Sequence, residues 1–294
     1  MTLEIALERL HRGWAAMGLF IQSAEPLPSY PEALVVGLAT VGRYDQRLFD
    51  EALSFLKCHP RILRSNYFKF WSTVLRDEDK ACLRLILNFC GINNILPAPS
   101  DLITPCPLFL KSGRPPYVGH QVDPLFESQG FLRNPFEISG MVPDLSRAAQ
   151  INPWIRMRLS SGILAQSDLL VLVVNTPQIT APIVSDLLGI TTKSAWTNLQ
   201  DLVTAQWLTK KTIGRRDFYS PTPSFLNAFS FLVVSSMETA PLLWIEAAIR
   251  ASWLPPIEQS PDYQRLWLQQ KEKELLPLHK IGDRLGLQAV AYST

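Results

Sequence analysis

The stretch from Gln166 to Thr222 constrains the fold most, because helix starts, helix stops and strand signals follow one another there in a tight order. An apolar run from Leu169 to Val174 predicts a first helix. Asn175-Thr176-Pro177 ends it, since proline cannot continue the helical hydrogen-bond ladder. Thr180 stands where a second helix needs a cap, and Pro182 falls in the first turn, where amides have no intrahelical partner. Gly189 follows Leu187 and Leu188 and suits the left-handed residue that closes a helix. A third helix begins at Thr191 or Thr192. Along it Ala195, Leu199, Leu202 and Ala205 recur at helical spacing and predict one buried stripe, with Lys193, Ser194, Thr197, Gln200 and Asp201 outside it. Trp207 to Ile213 then alternates like a strand. Gly214-Arg215-Arg216-Asp217 reads as a hairpin tip, and Phe218-Tyr219-Ser220 returns as a second strand closed by Pro221.

This order of elements resembles the winged helix-turn-helix regulators of the multiple-antibiotic-resistance and arsenical-resistance repressor type. Their G-[IL]-[ST]-x-x-[ST]-[VA] turn has its counterpart in Gly189-Ile190-Thr191-Thr192-Lys193-Ser194-Ala195, and the likeness is confined to residues 166–222. The chain departs from the pattern by placing Trp196 and Thr197 where such regulators carry a small residue and then a basic one. The resemblance implies a sequence-specific DNA-binding transcriptional regulator, with double-stranded DNA as partner and a homodimer as the binding unit. It brings Thr192, Lys193, Ser194, Trp196, Thr197 and Gln200 to the major groove, and Lys210, Lys211, Arg215 and Arg216 to the flanking backbone or minor groove. Trp196 belongs to that set as an aromatic that either wedges under the helix or marks a protein interface.

Charge bears on this reading locally and not globally. A net charge of +2 over 294 residues says nothing for or against nucleic acid. Between Thr191 and Ser220, Lys193, Lys210, Lys211, Arg215 and Arg216 outnumber Asp201 and Asp217, and most of that charge is on the hairpin. The paucity of cations on the third helix keeps a second function class open: a winged-helix protein–protein interaction module, or an effector-binding adaptor without direct DNA readout. A small-molecule effector would lie between the helical unit and the wing, lined by the aromatic, proline-rich middle of the chain.

The remainder predicts a mostly α fold in which an N-terminal helical unit and C-terminal helices frame the module. Residues 1–91 make the N-terminal helical domain. Helices are expected over 2–18, Glu32 to Val41 and Asp45 to Leu56, with another from Arg76 to Gly91. Lys57 to Arg76 carries Lys57, Arg61, Arg64, Lys69 and Arg76 with no acid between them, interleaved with Tyr67, Phe68, Phe70 and Trp71. It reads as a helix with an aromatic core face and solvated cations, or as a second nucleic-acid contact. Residues 92–150 hold Pro97, Pro99, Pro105, Pro107, Pro115, Pro116, Pro124, Pro135 and Pro143. Leu108-Phe109-Leu110, Phe126, Phe131 and Phe136 nevertheless predict an extended arm packed on other surfaces, a second subunit's included. Residues 151–222 hold the winged-helix module. Residues 223–294 predict helices over Ser224 to Met237, Ala240 to Trp253 (capped by Thr239) and Asp262 to Leu276, and they are the candidate dimerisation region.

No residue is singled out for catalysis, cofactor binding or metal binding. The histidines His11, His59, His120 and His279 are scattered, and no phosphate-cradling glycine loop or nucleophile motif occurs. Cys58, Cys82, Cys90 and Cys106 form no C-x-x-C pair and read as buried free thiols. No apolar run approaches the length needed to span a bilayer, so the expected setting is cytoplasmic, without membrane contact.

Overall fold

The first helix, α1 (Leu3–Ala16), forms on an amphipathic repeat that buries Ala6, Leu10 and Trp14, and Thr2 caps it by accepting from the Ile5 amide. α2 (Pro31–Ala39) is apolar on all sides and buried throughout, so it is the central helix of the N-terminal part. The Gly42-Arg43-Tyr44 break forms a short 3-10 turn, followed by α3 (Gln46–Cys58), α4 (Ser65–Trp71) and α5 (Asp77–Phe89). A computed structural model of the chain describes residues 2–21, 25–97, 105–110, 121–237, 240–252 and 261–285, and these are mostly helical.

The described part of the proline-rich middle packs on its own chain. β1 (Cys106–Pro107) pairs in parallel with β2 (Phe131–Leu132), separated by the single turn α6 (Pro124–Glu127). Two arginines fasten this arm to the helices. Arg43, fully buried, donates to the carbonyls of Leu108 (2.9 Å) and Pro107 (3.3 Å). Arg133 pairs with Asp50 of α3 at 2.8 Å and lies over the rings of Phe109, Phe126 and Phe136. Guanidiniums satisfy carbonyls that a proline-rich strand cannot satisfy itself.

α7 (Leu145–Ile151) and α8 (Pro153–Ser161) lead into α9 (Ala165–Val174), and a buried ionic cluster ties them to the N-terminal helices. Arg158 of α8 pairs with Glu32 of α2 (3.0 Å) and with Asp168 of α9 (2.8 Å). Arg64 pairs with Asp168 (2.9 Å), and its amide donates to Glu32. The Tyr30 hydroxyl donates to Asp168 (2.9 Å). Burial alone would raise the Asp168 carboxyl, but Arg158 and Arg64 outweigh it and hold it below the usual range; at Glu32 burial wins and the carboxyl is raised.

After α9 come α10 (Ala181–Leu188), α11 (Thr192–Thr204) and the antiparallel ribbon β3 (Leu208–Ile213) and β4 (Arg216–Pro221). The helix expected over Ser224 to Met237 is only α12 (Pro223–Ala228) and a 3-10 turn to Leu232. Val233-Val234-Ser235-Ser236 favours other conformations, and Asn175 captures the segment by donating to Leu232 O and accepting from Val234 N. α13 (Leu242–Ala251) starts after Pro241; Thr239, expected to cap it, lies outside the described residues, as does Trp253. α14 (Pro261–Glu272) and α15 (Leu276–Leu285) are the last helices among the described residues, the latter beyond the expected last helix.

α13 lies in the segment expected to form a dimerisation face. It packs on α1 and α2 within the same chain, Trp244 Nε1 donating to Ala6 O at 3.1 Å, with Trp244, Ile245, Ala247 and Ala248 buried. Sequence periodicity shows that a helix needs a partner, not which one. The segments 1–91, 92–150, 151–222 and 223–294 share one contiguous apolar core, from Ala6 through Leu108 and Leu199 to Ile281. Among the described residues no helix is long and apolar enough to cross a membrane, and no group of three His, Cys, Asp or Glu could hold a metal ion.

The cysteines also need correction. All four are free, but Cys58 is exposed at the end of α3 and Cys106 is half-buried, while Cys82 and Cys90 are buried. Burial pushes the Cys82 and Cys90 thiols up to about 12, where almost no thiolate exists at neutral pH. An aromatic disulfide reagent is therefore expected to titrate Cys58 rapidly in the folded protein and to reach Cys82 and Cys90 only at the rate of unfolding. Rapid labelling of all four thiols under native conditions would contradict this packing.

Candidate nucleic-acid interface

α10 ends where glycine was expected to end it. Gly189 is left-handed at φ 62°, and its amide bonds to Ser185 O. Ser185 also holds the turn from within, its hydroxyl donating to Ile190 O at 2.6 Å. Thr180 occupies the start of α10 without making a side-chain cap, which corrects the expectation, whereas Thr191 does cap α11 by accepting from Ser194 N at 3.1 Å. A further contact at this turn was not foreseen. A Cβ built on Gly189 would lie 2.7 Å from Tyr67 Cα and 2.9 Å from Tyr67 N, so α4 rests directly on the corner between α10 and α11.

The buried stripe of α11 is shorter than its periodicity suggests. Ala195 and Leu199 are buried, Leu202 is half-buried and Ala205 is exposed. The helix leaves the core as it nears its end, at Gln206, which is itself left-handed at φ 62°. On the outward face Thr192, Lys193, Ser194, Trp196 and Thr197 are exposed, Trp196 by 47%. The Thr197 hydroxyl donates to Lys193 O, and that of Thr192 to the Ser185 hydroxyl. Gln200 departs from the expected set. It is half-buried, and its amide donates to the Tyr219 hydroxyl at 2.7 Å, so it braces α11 against β4.

The ribbon also differs from its sequence pattern. Beyond buried Leu208, every residue of β3 is exposed, so the alternation of Trp207 to Ile213 does not sort the strand into an inner and an outer face. Ile213 faces Arg216 across a two-residue turn, Gly214-Arg215, with Gly214 at φ 61°, the conformation that primed hairpin turns require. Arg216 and Asp217, expected at the tip, belong to β4. Tyr219 is buried and exchanges backbone bonds with Ile179, which anchors the ribbon beside α10. Lys210 pairs with Asp217 at 2.8 Å and is thereby neutralised, while Thr212 donates to the same carboxylate. Lys193, Lys211, Arg215 and Arg216 are exposed and have no ion-pair partner among the described residues.

α10 is held from its other side by α15, where Arg284 pairs with Asp186 at 2.6 Å. A cavity of about 250 Å³ lies between α1 and α3, lined by His11, Ile21, Asp45 and Leu48. His11 in it bonds Asp45 at 2.9 Å, a pairing that sequence spacing did not reveal; His120 lies outside the described residues. Among known proteins, the chain matches no family model, no curated protein and no solved structure.

Proposed function

We propose that residues 165–221 act as a winged helix-turn-helix and that the protein is a sequence-specific DNA-binding transcriptional regulator. The observation that carries this reading is the placement of unpaired charge. Lys193 at the start of α11 and Lys211, Arg215 and Arg216 on the ribbon are exposed cations, while Asp217, next to Arg216 in β4, is taken up by Lys210. Cations left unpaired on a two-stranded ribbon suit phosphate oxygens. The exposed hydroxyls of α11 suit base edges in a major groove. In this reading the protein binds as a homodimer, with two copies of α11 about 34 Å apart. Exposed Phe231, Val233, Leu268 and Leu276 are apolar positions of the C-terminal segment that suit such pairing.

The test is salt-dependent binding to duplex DNA. Arg215→Ala with Arg216→Ala should weaken binding to all sequences alike and lower the slope of log affinity against log salt by about 0.9 per lost phosphate contact. Lys193→Ala should also erode discrimination between the preferred and a random duplex by about 1 to 3 kcal/mol. Gln200→Ala, by contrast, should act through the packing of α11 on β4 and leave the sequence preference intact. Absence of any retained genomic fragment would sink the reading. One observation favours the alternative of a protein-interaction module, namely the half-exposed indole of Trp196 on the same face. If that alternative holds, Trp196→Ala abolishes capture of a protein partner while DNA binding is absent in the parent protein.

A further inference from the structure

α4 is the element nearest the corner between α10 and α11, and its outward side has the character of a second phosphate-binding surface. Tyr67, Phe68 and Trp71 face the core, which leaves Ser65, Asn66, Lys69 and Thr73 exposed at helical spacing on the other side, with Arg61 exposed just before them. The other cations of this acid-free segment are already committed. Lys57 donates to Phe89 O, Arg64 is in the buried cluster, and Arg76 pairs with Asp79. Arg61 and Lys69 have no ion partner among the described residues.

Their position adds to their charge. Asn66 C and Tyr67 Cα lie 3.1 and 2.7 Å from the Cβ position of Gly189, and Lys193 is only four positions beyond Gly189, a reach of at most about 14 Å. Backbone-to-backbone contact at this corner leaves no room for α4 to slide relative to α11. From this juxtaposition we propose that the DNA surface continues from α11 onto α4, where Arg61 and Lys69, with the polar side chains of Ser65 and Asn66, hold phosphates flanking the site that α11 reads. This rests on the DNA-binding reading above and extends it to the N-terminal part of the chain. The partner is fixed by chemistry: two separated cations among neutral donors fit a spaced run of phosphates and provide no base readout.

The experiment uses the full chain and a random 40-base-pair duplex, followed by fluorescence anisotropy from 50 to 200 mM salt. Arg61→Ala with Lys69→Ala is expected to lower the salt slope by about 1.8, so that affinity lost across that range shrinks by about tenfold, and Arg61→Lys with Lys69→Arg should restore the slope. Both sites are exposed, so the thermal midpoint should not move. Arg215→Ala with Arg216→Ala serves as the control for the parent reading. If that control lowers the slope and the α4 pair leaves it unchanged, the extension is overturned alone and these cations belong to an acidic protein partner instead. If the unaltered protein binds no duplex at 50 mM salt, both readings fall.

Discussion

Arg158→Ala is expected to destabilise the protein by about 3 to 5 kcal/mol, measured by urea unfolding, because it removes the one side chain that neutralises both Glu32 and Asp168. Both acids are fully buried, so neither can recover the loss by turning to water. The remaining Arg64 reaches Asp168 with its guanidinium and Glu32 only with its amide. A second variant separates the loss of charge balance from the loss of packing. Arg158→Met combined with Glu32→Gln and Asp168→Asn keeps the volume and removes both unpaired acids, and it should recover much of the stability. A loss below about 1 kcal/mol for Arg158→Ala would mean that water reaches the cluster.

Gly189→Ala should be nearly as damaging, at about 2 to 5 kcal/mol. A left-handed backbone costs any L-residue about 1 to 2 kcal/mol, and the new methyl group would meet backbone atoms of Tyr67, which cannot rotate away. The unequal response of neighbouring positions provides the check. Gly214 has the same left-handed conformation but nothing within 4 Å of its Cβ position, so Gly214→Ala should incur the conformational cost alone. Equal effects at the two sites would show that α4 does not bear on the corner.

The local order of α9 to β4 was legible because each boundary has its own chemical signature: Pro177 after the first helix, Gly189 after the second, Thr191 before the third and Gly214 in the hairpin. What escaped was whatever depends on a distant partner. Leu202 has the right spacing for burial and packs against the core, yet only partly, because the helix leaves the core just beyond it, at exposed Ala205. Gln200 looked outward on a helical wheel, but β4 returns to that side and brings the Tyr219 hydroxyl within reach. α13 showed apolar residues on several faces, which fits an interior helix and a dimer interface equally well; the Trp244 bond to Ala6 accounts for one of those faces within the chain. The acid-free run from Lys57 to Arg76 was visible, but its closeness to Gly189 arises from packing between residues more than a hundred positions apart.

The bare ribbon has a consequence for how the chain behaves in concentrated solution. β4 has Ile179 on its outer side, but the outer edge of β3 has no partner strand among the described residues, so its outward amides and carbonyls between Thr209 and Ile213 are open there, with a solvated isoleucine at its end. Such an edge is a template on which a second molecule could add a strand, and the cations along it oppose that addition by like-charge repulsion. Lys211 on that edge, with Arg215 in the adjoining turn and Arg216 at the start of β4, is therefore expected to keep such strands from adding. Neutralising them should make the protein stickier as well as altering its ligands, and light scattering belongs beside every measurement made on those variants.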